Sequence, residues 1–269
     1  SVRSSRGVAG GCIANGSRFE LTDGSSWFVK RSSSLPAGMF RAEADGLAAL
    51  GAGPGPRVPQ VAAVGDGFIV MEWIESGRKQ AGFDDAFGRE LALLHRRNEC
   101  DRYGFHADNY IGSTPQPNSW TDSWFEFFRV HRLGYQSRLA YDRGLIDDAL
   151  LRDIESVGAR LESLLPRPEH PALLHGDLWG GNYMVDAAGQ PVLIDPASYY
   201  GHREADLAMT RLFGGFGGGF YRGYESAWPT EPGLDERVPL YNLYHVLNHA
   251  NIFGGSYVSS VRSVVRRYR

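Results

Sequence analysis

The sequence predicts an α+β fold of two lobes: a β-rich N-terminal lobe with one key helix over 1–75, and a mainly helical C-terminal lobe over 76–269. Three observations carry this. Residues 8–75 read as short strands around a single helix. From Phe83 onward apolar residues recur at helical spacing. At residues 173–195 a hairpin carrying His, Asp and Asn interrupts the helices.

Ser17 to Thr22 and Ser26 to Lys30 flank Asp23-Gly24, a pair that favours a hairpin because both residues tolerate positive φ. Phe40, Ala44 and Leu47 recur at helical spacing within Met39 to Leu50. Gly51 to Pro59 is a Gly/Pro-rich connection. Val61 to Val64 and Phe68 to Glu72 form a second hairpin around Gly65-Asp66-Gly67, and Trp73 to Gly77 crosses into the second lobe. There, Phe87, Leu91 and Leu94 mark one face of a helix ending near Arg97. Trp124 to Ala140 and Asp147 to Leu165 read as two more helices. After the hairpin, helices resume at Arg203 to Phe213, Phe220 to Trp228 and Asp235 to Asn251. The basic stretch Arg262 to Arg269 reads as a solvated helix end.

At 269 residues, 42% hydrophobic and 22% charged, the chain can bury a substantial core. Its apolar runs are too short to span a bilayer, and a net charge of -3 leaves no basic footprint for nucleic acid. Two cysteines, Cys12 and Cys100, make no disulfide framework, which favours the reducing cytoplasm. Composition suits a monomer and a homodimer equally. Of 28 basic residues only Lys30 and Lys79 are lysines, which singles both out, because Lys and Arg serve phosphates differently.

The chemistry concentrates in Leu173-Leu174-His175-Gly176-Asp177-Leu178-Trp179-Gly180-Gly181-Asn182 and in Val192-Leu193-Ile194-Asp195. Asp177 and Asn182 have the spacing of the Asp and Asn in a kinase catalytic loop. Tyr183 to Asp186 and Pro191 to Ile194 read as strands joined at Ala187-Ala188-Gly189-Gln190. A hairpin returns on itself, so Asn182 and Asp195 share its open end, one short loop from Asp177. Two oxygen ligands, Asn182 and Asp195, beside a free carboxylate, Asp177, suit Mg-ATP chemistry, since Mg²⁺ takes few protein oxygens and completes its shell with water and phosphate. The whole pattern is protein-kinase-like, with nucleotide in the cleft between lobes.

Gly10, Gly11, Cys12 and Ile13 precede the first hairpin strand, where glycines would let backbone amides approach phosphates; the stretch is not a Walker A sequence. Lys30 ends the strand Trp27-Phe28-Val29-Lys30 and is placed to contact the α/β-phosphates, paired with Glu43 on the next helix rather than with Glu20. Glu72, Trp73 and Ile74 follow a β run at the point where kinase backbones meet the adenine edge. Trp179, between Asp177 and Asn182, is expected to face the acceptor as an aromatic platform, with His249 closing the other side. His175 is expected to brace the loop and Asp206 to buttress it. Cys12 reads as a small apolar filler, or as a thiol whose oxidation would block ATP.

LLHGDLWGGN, IDPASYYGHREADLAM and Leu212-Phe213-Gly214-Gly215-Phe216 together resemble the fructosamine-3-kinase (ketosamine-3-kinase) family. Tyr103-Gly104-Phe105, Ser119-Trp120, Trp124 and Leu247-Asn248-His249 support the resemblance, which runs from the Gly-rich loop to about Gly254. The wider class, including aminoglycoside and choline kinases, shares only HxDxxxxN and the later Asp. The resemblance implies ATP- and Mg²⁺-dependent phosphorylation at the 3-hydroxyl of a ketoamine, a ribulosamine or fructosamine on a small amine or a protein lysine. The unstable 3-phosphate then falls apart and frees the amine, which is deglycation. One departure is the short stretch before Gly10-Gly11, so a leading helix of relatives is expected to be absent or trimmed. Two alternatives stay open: an aminoglycoside or amino-alcohol phosphotransferase, and an inactive ATP-binding scaffold, against which the joint presence of Lys30, Glu43, Asp177, Asn182 and Asp195 argues.

Overall fold

The computed structural model describes residues 1–8, 15–97 and 99–269. Its N-terminal part is a five-stranded antiparallel sheet in the order β1 (Val2–Val8), β2 (Asn15–Leu21), β3 (Ser26–Arg31), β5 (Phe68–Glu72) and β4 (Val61–Gly65). The β2–β3 turn forms because Asp23 accepts from the Ser25 amide at 2.9 Å while Gly24 takes φ +86°. Helix α1 (Met39–Gly51) lays Phe40 and Leu47 on Ile69 and Met71, a small apolar core separate from the main one. The register sets Lys30 between Gly16 and Ile69.

The rest is mainly helical: α2 (Phe83–His95), α3 (Trp124–Phe127), α4 (Tyr135–Asp142), α5 (Asp148–Ala159), α6 (Leu161–Leu164), α7 (Glu204–Leu212), α8 (Gly218–Ala227), α9 (Leu234–Phe253) and α10 (Ser256–Tyr268). Three short antiparallel pairs interrupt the helices: β6 (Asn109–Ile111) with β7 (Thr114–Gln116), β8 (Ala172–Leu174) with β11 (Tyr199–Gly201), and β9 (Tyr183–Val185) with β10 (Pro191–Leu193). Two segments of the N-terminal side, the α1–β4 connection and the crossing between lobes, are stitched to the last pair. The Leu193 amide donates to the Arg57 carbonyl and the Gly77 amide to the Val185 carbonyl, each at 2.8 Å. A Cβ on Gly77 would stand 2.1 Å from the Asp186 carbonyl oxygen, so only glycine allows the approach.

Several elements differ from expectation. The predicted helix Trp124 to Ala140 is π-helical over Phe128–Gly134, around the fully buried Arg132, which stacks on Tyr199 at 3.9 Å and donates to the Pro117 carbonyl at 2.7 Å. The helix predicted from Asp147 to Leu165 breaks at Arg160, whose φ of -107° leaves the helical region. Arg266, Arg267 and Arg269 are exposed at the end of α10, as read from the sequence, but the opposite face of that helix buries Val261 and Val265 as α10 packs on α9 and α5. The pairs β6–β7 and β8–β11 had no visible sequence signal, since three residues are too few to show a period, and β1 had none because it is exposed almost throughout and so carries no apolar alternation.

Two glycines set the crossing of α2 and α8. A Cβ on Gly88 would lie 2.0 Å from the Phe220 carbonyl oxygen, and one on Gly223 2.0 Å from that of Asp85. Gly223→Ala is therefore expected to destabilise by about 1–3 kcal/mol in urea unfolding, the cost of overpacking. An unshifted midpoint would mean that the helices part freely.

Stability should also fall in acid. His202 is buried, accepts the Glu204 amide on Nδ1 at 3.1 Å, and is pushed down to about 3 by burial and then by the nearby Arg203 and Arg237 charges. Burial pushes His245 down to about 3 as well. Both are neutral when folded and protonate once unfolded below about pH 6.5. Their contribution is thus complete above about pH 6.5 and lost as pH falls toward 3. In urea unfolding between pH 7 and 5, His202→Asn should remove up to about 1.4 kcal/mol per pH unit of that slope. A slope equal to that of the parent would contradict the assignment.

Candidate active site

The segment after β8 is held from below by one carboxylate. Asp206 of α7, itself buried, accepts the His175 amide on Oδ2 at 2.7 Å and the Gly176 amide on Oδ1 at 2.9 Å. His95 of α2 contacts Asp206 through Nε2 at 3.2 Å and Tyr224 through Nδ1 at 2.9 Å. Burial by itself would raise the Asp206 carboxyl, but the contact with His95 and the Gly176 amide bond hold it below the usual carboxylate range. His175 accepts the Asp177 amide on Nδ1 at 3.2 Å, so its Nε2–H donates to the Ile194 carbonyl at 2.9 Å. Gly176 has φ +82°, and a Cβ there would meet the Ala197 carbonyl at 2.1 Å. The loop is thereby locked to the strand that delivers Asp195.

Asn182 Nδ2 donates to both the Oδ2 and the backbone carbonyl of Asp177, each at 2.9 Å. The Ile194 amide donates to the Asn182 carbonyl at 3.0 Å, closing the hairpin mouth beside Asp195. Asp195 has φ +54°, the positive-φ non-glycine position among the described residues. Such a conformation costs about 1–3 kcal/mol and is found where surrounding structure over-determines it. Burial chiefly raises the Asp177 carboxyl, to about 7; the Asn182 hydrogen bond opposes this, and the charges of Asp195 and Asp206 add to it.

From the other lobe, Lys30 Nζ reaches Glu43 at 2.7 Å and also contacts the Asp195 carboxylate. Burial favours its neutral form, but Glu43 and Asp195 outweigh this and push it up to about 12. At Glu43 burial pulls the carboxyl up and Lys30 pulls it down; an ammonium between two carboxylates is held charged. Glu20, on β2, accepts from Ser4 instead.

Asn182 spends both amide hydrogens on Asp177, which leaves its Oδ1 as a hard oxygen at the hairpin mouth that also carries Asp195. That donor set fits Mg²⁺, which needs few protein oxygens. Glu72 ends β5 and its side chain pairs with Arg57, which also meets Asp186 at 3.2 Å. Trp73 carries Arg18 over its ring at 4.7 Å, and Ile74 is buried. The side chains of Glu72 and Trp73 are thus engaged elsewhere, leaving the backbone of the crossing as the group available to a ligand. Gly10, Gly11, Cys12 and Ile13 lie outside the described residues.

Trp179 folds back over Gly181, where a Cβ would strike its ring at 2.3 Å, and stands edge-on to Phe213 at 6.1 Å. His249 of α9 lies 4.9 Å from Phe213, so one ring joins the two residues expected on the acceptor side. Phe213 was not anticipated in that place. Its signal was the Gly214-Gly215 pair behind it.

A β-sheet lobe supplying a charge-clamped lysine, set against a helical lobe supplying an Asp/Asn/Asp loop, defines a protein-kinase-like phosphotransferase. A thermostable mutant of an aminoglycoside phosphotransferase, solved with ADP and hygromycin B, superposes with a TM-score of 0.66 over 99% of this chain and 95% of that one, and at 14% identity shows the shared fold. Within that class the chain belongs to the fructosamine kinase family, whose model matches residues 1–269. It is 45% identical to a chain of Synechocystis assigned as a ketoamine kinase, over 99% of this chain and 90% of that one. It is 44% identical to the chloroplastic protein-ribulosamine 3-kinase of Oryza sativa subsp. japonica, over 97% and 77%. A crystal structure assigned as a fructosamine-3-kinase, from Thermobifida fusca, is 36% identical, with a TM-score of 0.91 over 100% of this chain and 94% of that one. None of the helices among the described residues is long and apolar enough to cross a membrane.

Proposed function

We propose that the protein phosphorylates the 3-hydroxyl of ketoamines, ribulosamines or fructosamines carried by small amines or protein lysines, and so starts their deglycation in the cytoplasm. The observation that carries this reading is the meeting of Lys30, Asp195, Asn182 and Asp177 at the seam of the lobes, in a chain similar over almost its whole length to a protein-ribulosamine 3-kinase. Residues 1–75 act as the ATP-binding lobe and 76–269 as the catalytic and substrate lobe. The acceptor oxygen bonds to the γ-phosphorus of ATP, the bond to the β-phosphate oxygen breaks, and the proton passes to Asp177 and then to solvent. Mg²⁺ held by Asn182 and Asp195 would neutralise charge on the transferring group. Lys30, fixed by Glu43, steadies the α/β-phosphates, and the backbone at 72–74 meets the adenine edge. Positioning and electrostatics supply most of the rate.

The test is ADP release from Mg-ATP with ribulosyl-lysine, fructosyl-lysine, an aminoglycoside and choline in turn. Turnover on the two ketoamines is expected, and their ratio reports the preferred sugar. Turnover confined to the aminoglycoside or choline would sink the substrate assignment and keep the kinase chemistry.

A further inference from the structure

The aromatic surface beside Trp179 extends well past the residues needed to hold a sugar. Rings follow one another from Trp179 to Phe213 (6.1 Å), Phe213 to His249 (4.9 Å), His249 to Tyr257 (5.1 Å) and His249 to Phe253 (5.6 Å). Phe213 and Phe253 are 43% and 64% exposed, a cost in water that a binding surface explains. The placement is built rather than incidental. A Cβ on Gly215 would lie 2.6 Å from the Gly180 Cα, so two bare backbones touch and set Phe213 against Trp179. Tyr183 fixes the contact by donating to the Gly215 carbonyl at 3.0 Å.

His249 adds the polar element. Its Nδ1 lies 2.8 Å from the His245 carbonyl, which can only accept, so the hydrogen sits on Nδ1 and Nε2 presents a lone pair. Burial lowers the affinity of this imidazole for a proton and keeps it neutral. An acceptor nitrogen on an imidazole flanked by Phe213, Phe253 and Tyr257 suits an ammonium ion: an N–H for the lone pair and positive charge for the rings.

We propose that Phe213, Tyr257 and Phe253, grouped around the His249 imidazole, seat the protonated secondary amine of the acceptor and give the enzyme its preference for ketoamines over uncharged ketose derivatives. This rests on the reading of the protein as a ketoamine kinase. It adds a charge-reading subsite that starts at Trp179 and runs out along α9 and α10.

The test compares kcat/KM for a ribulosyl amine with that for its ether analogue, in which oxygen replaces the nitrogen, in the parent protein and in Phe213→Leu and Tyr257→Leu. Leucine keeps bulk and removes the π face. The parent should prefer the amine by at least tenfold, and each variant should lose about three- to tenfold of that preference, the size of a partly desolvated cation–π contact. A preference that is absent in the parent, or unchanged in both variants, overturns the subsite while leaving the kinase reading intact. No turnover of any ketoamine by the parent overturns both.

Discussion

Asp177→Asn should lower kcat on a ketoamine by about 10²- to 10⁴-fold, the usual contribution of a positioned base. The substitution keeps the shape of the side chain and its contact with Asn182 Nδ2 at 2.9 Å, while removing the carboxylate that would take the acceptor proton. His175 cannot stand in, since both its nitrogens are committed, one to the Asp177 amide and one to the Ile194 carbonyl. ATP affinity should change little, because Lys30, Glu43 and Asp195 form their cluster without Asp177. Steady-state kinetics with a separate measurement of ATP binding checks both halves. Full turnover in the variant would remove Asp177 from the mechanism.

Arg237→Ala should cost about 3–5 kcal/mol of stability, the penalty for stranding a buried charge. Glu204, only 1% exposed, opens α7, and its two carboxylate oxygens accept from Arg237 Nε at 2.8 Å and Nη2 at 2.6 Å. Asp206, which holds the His175-Gly176 backbone before Asp177, stands on the same turn of α7. Truncating the arginine leaves a carboxylate in the core with no counter-charge. For a chain of this size the melting temperature should drop by on the order of 10 °C. Replacing the pair together, as Glu204→Met with Arg237→Leu, should recover most of the loss, because an apolar pair of similar volume avoids the desolvation altogether. If the double variant melted as low as the single one, the ion pair would have a directional role that apolar packing cannot replace.

The candidate catalytic hairpin was legible because its information is local. The spacing from Asp177 to Asn182, the turn at Ala187 to Gln190 and the return to Asp195 follow from chain geometry alone, and the structure pairs Tyr183 with Leu193 accordingly. The Lys30–Glu43 contact, at 2.7 Å, was legible for a related reason: a strand-end lysine and a helix one connection later have few other ways to meet. Trp179 was marked by its position between Asp177 and Asn182.

The chain by itself determined the β2–β3 and β4–β5 hairpins with the helix between them, the Asp177-to-Asp195 hairpin and the family. What only the tertiary structure decided is where distant segments touch. It set Gly215 on Gly180 and so brought Phe213 to Trp179, aimed His249 Nε2 by tying Nδ1 to the His245 carbonyl, wound Phe128–Gly134 as a π-helix around Arg132, and joined His95, Tyr224 and Asp206 beneath the loop. Spacing and periodicity report on neighbours along the chain. Contacts across dozens of residues depend on how whole faces pack, which no local pattern encodes.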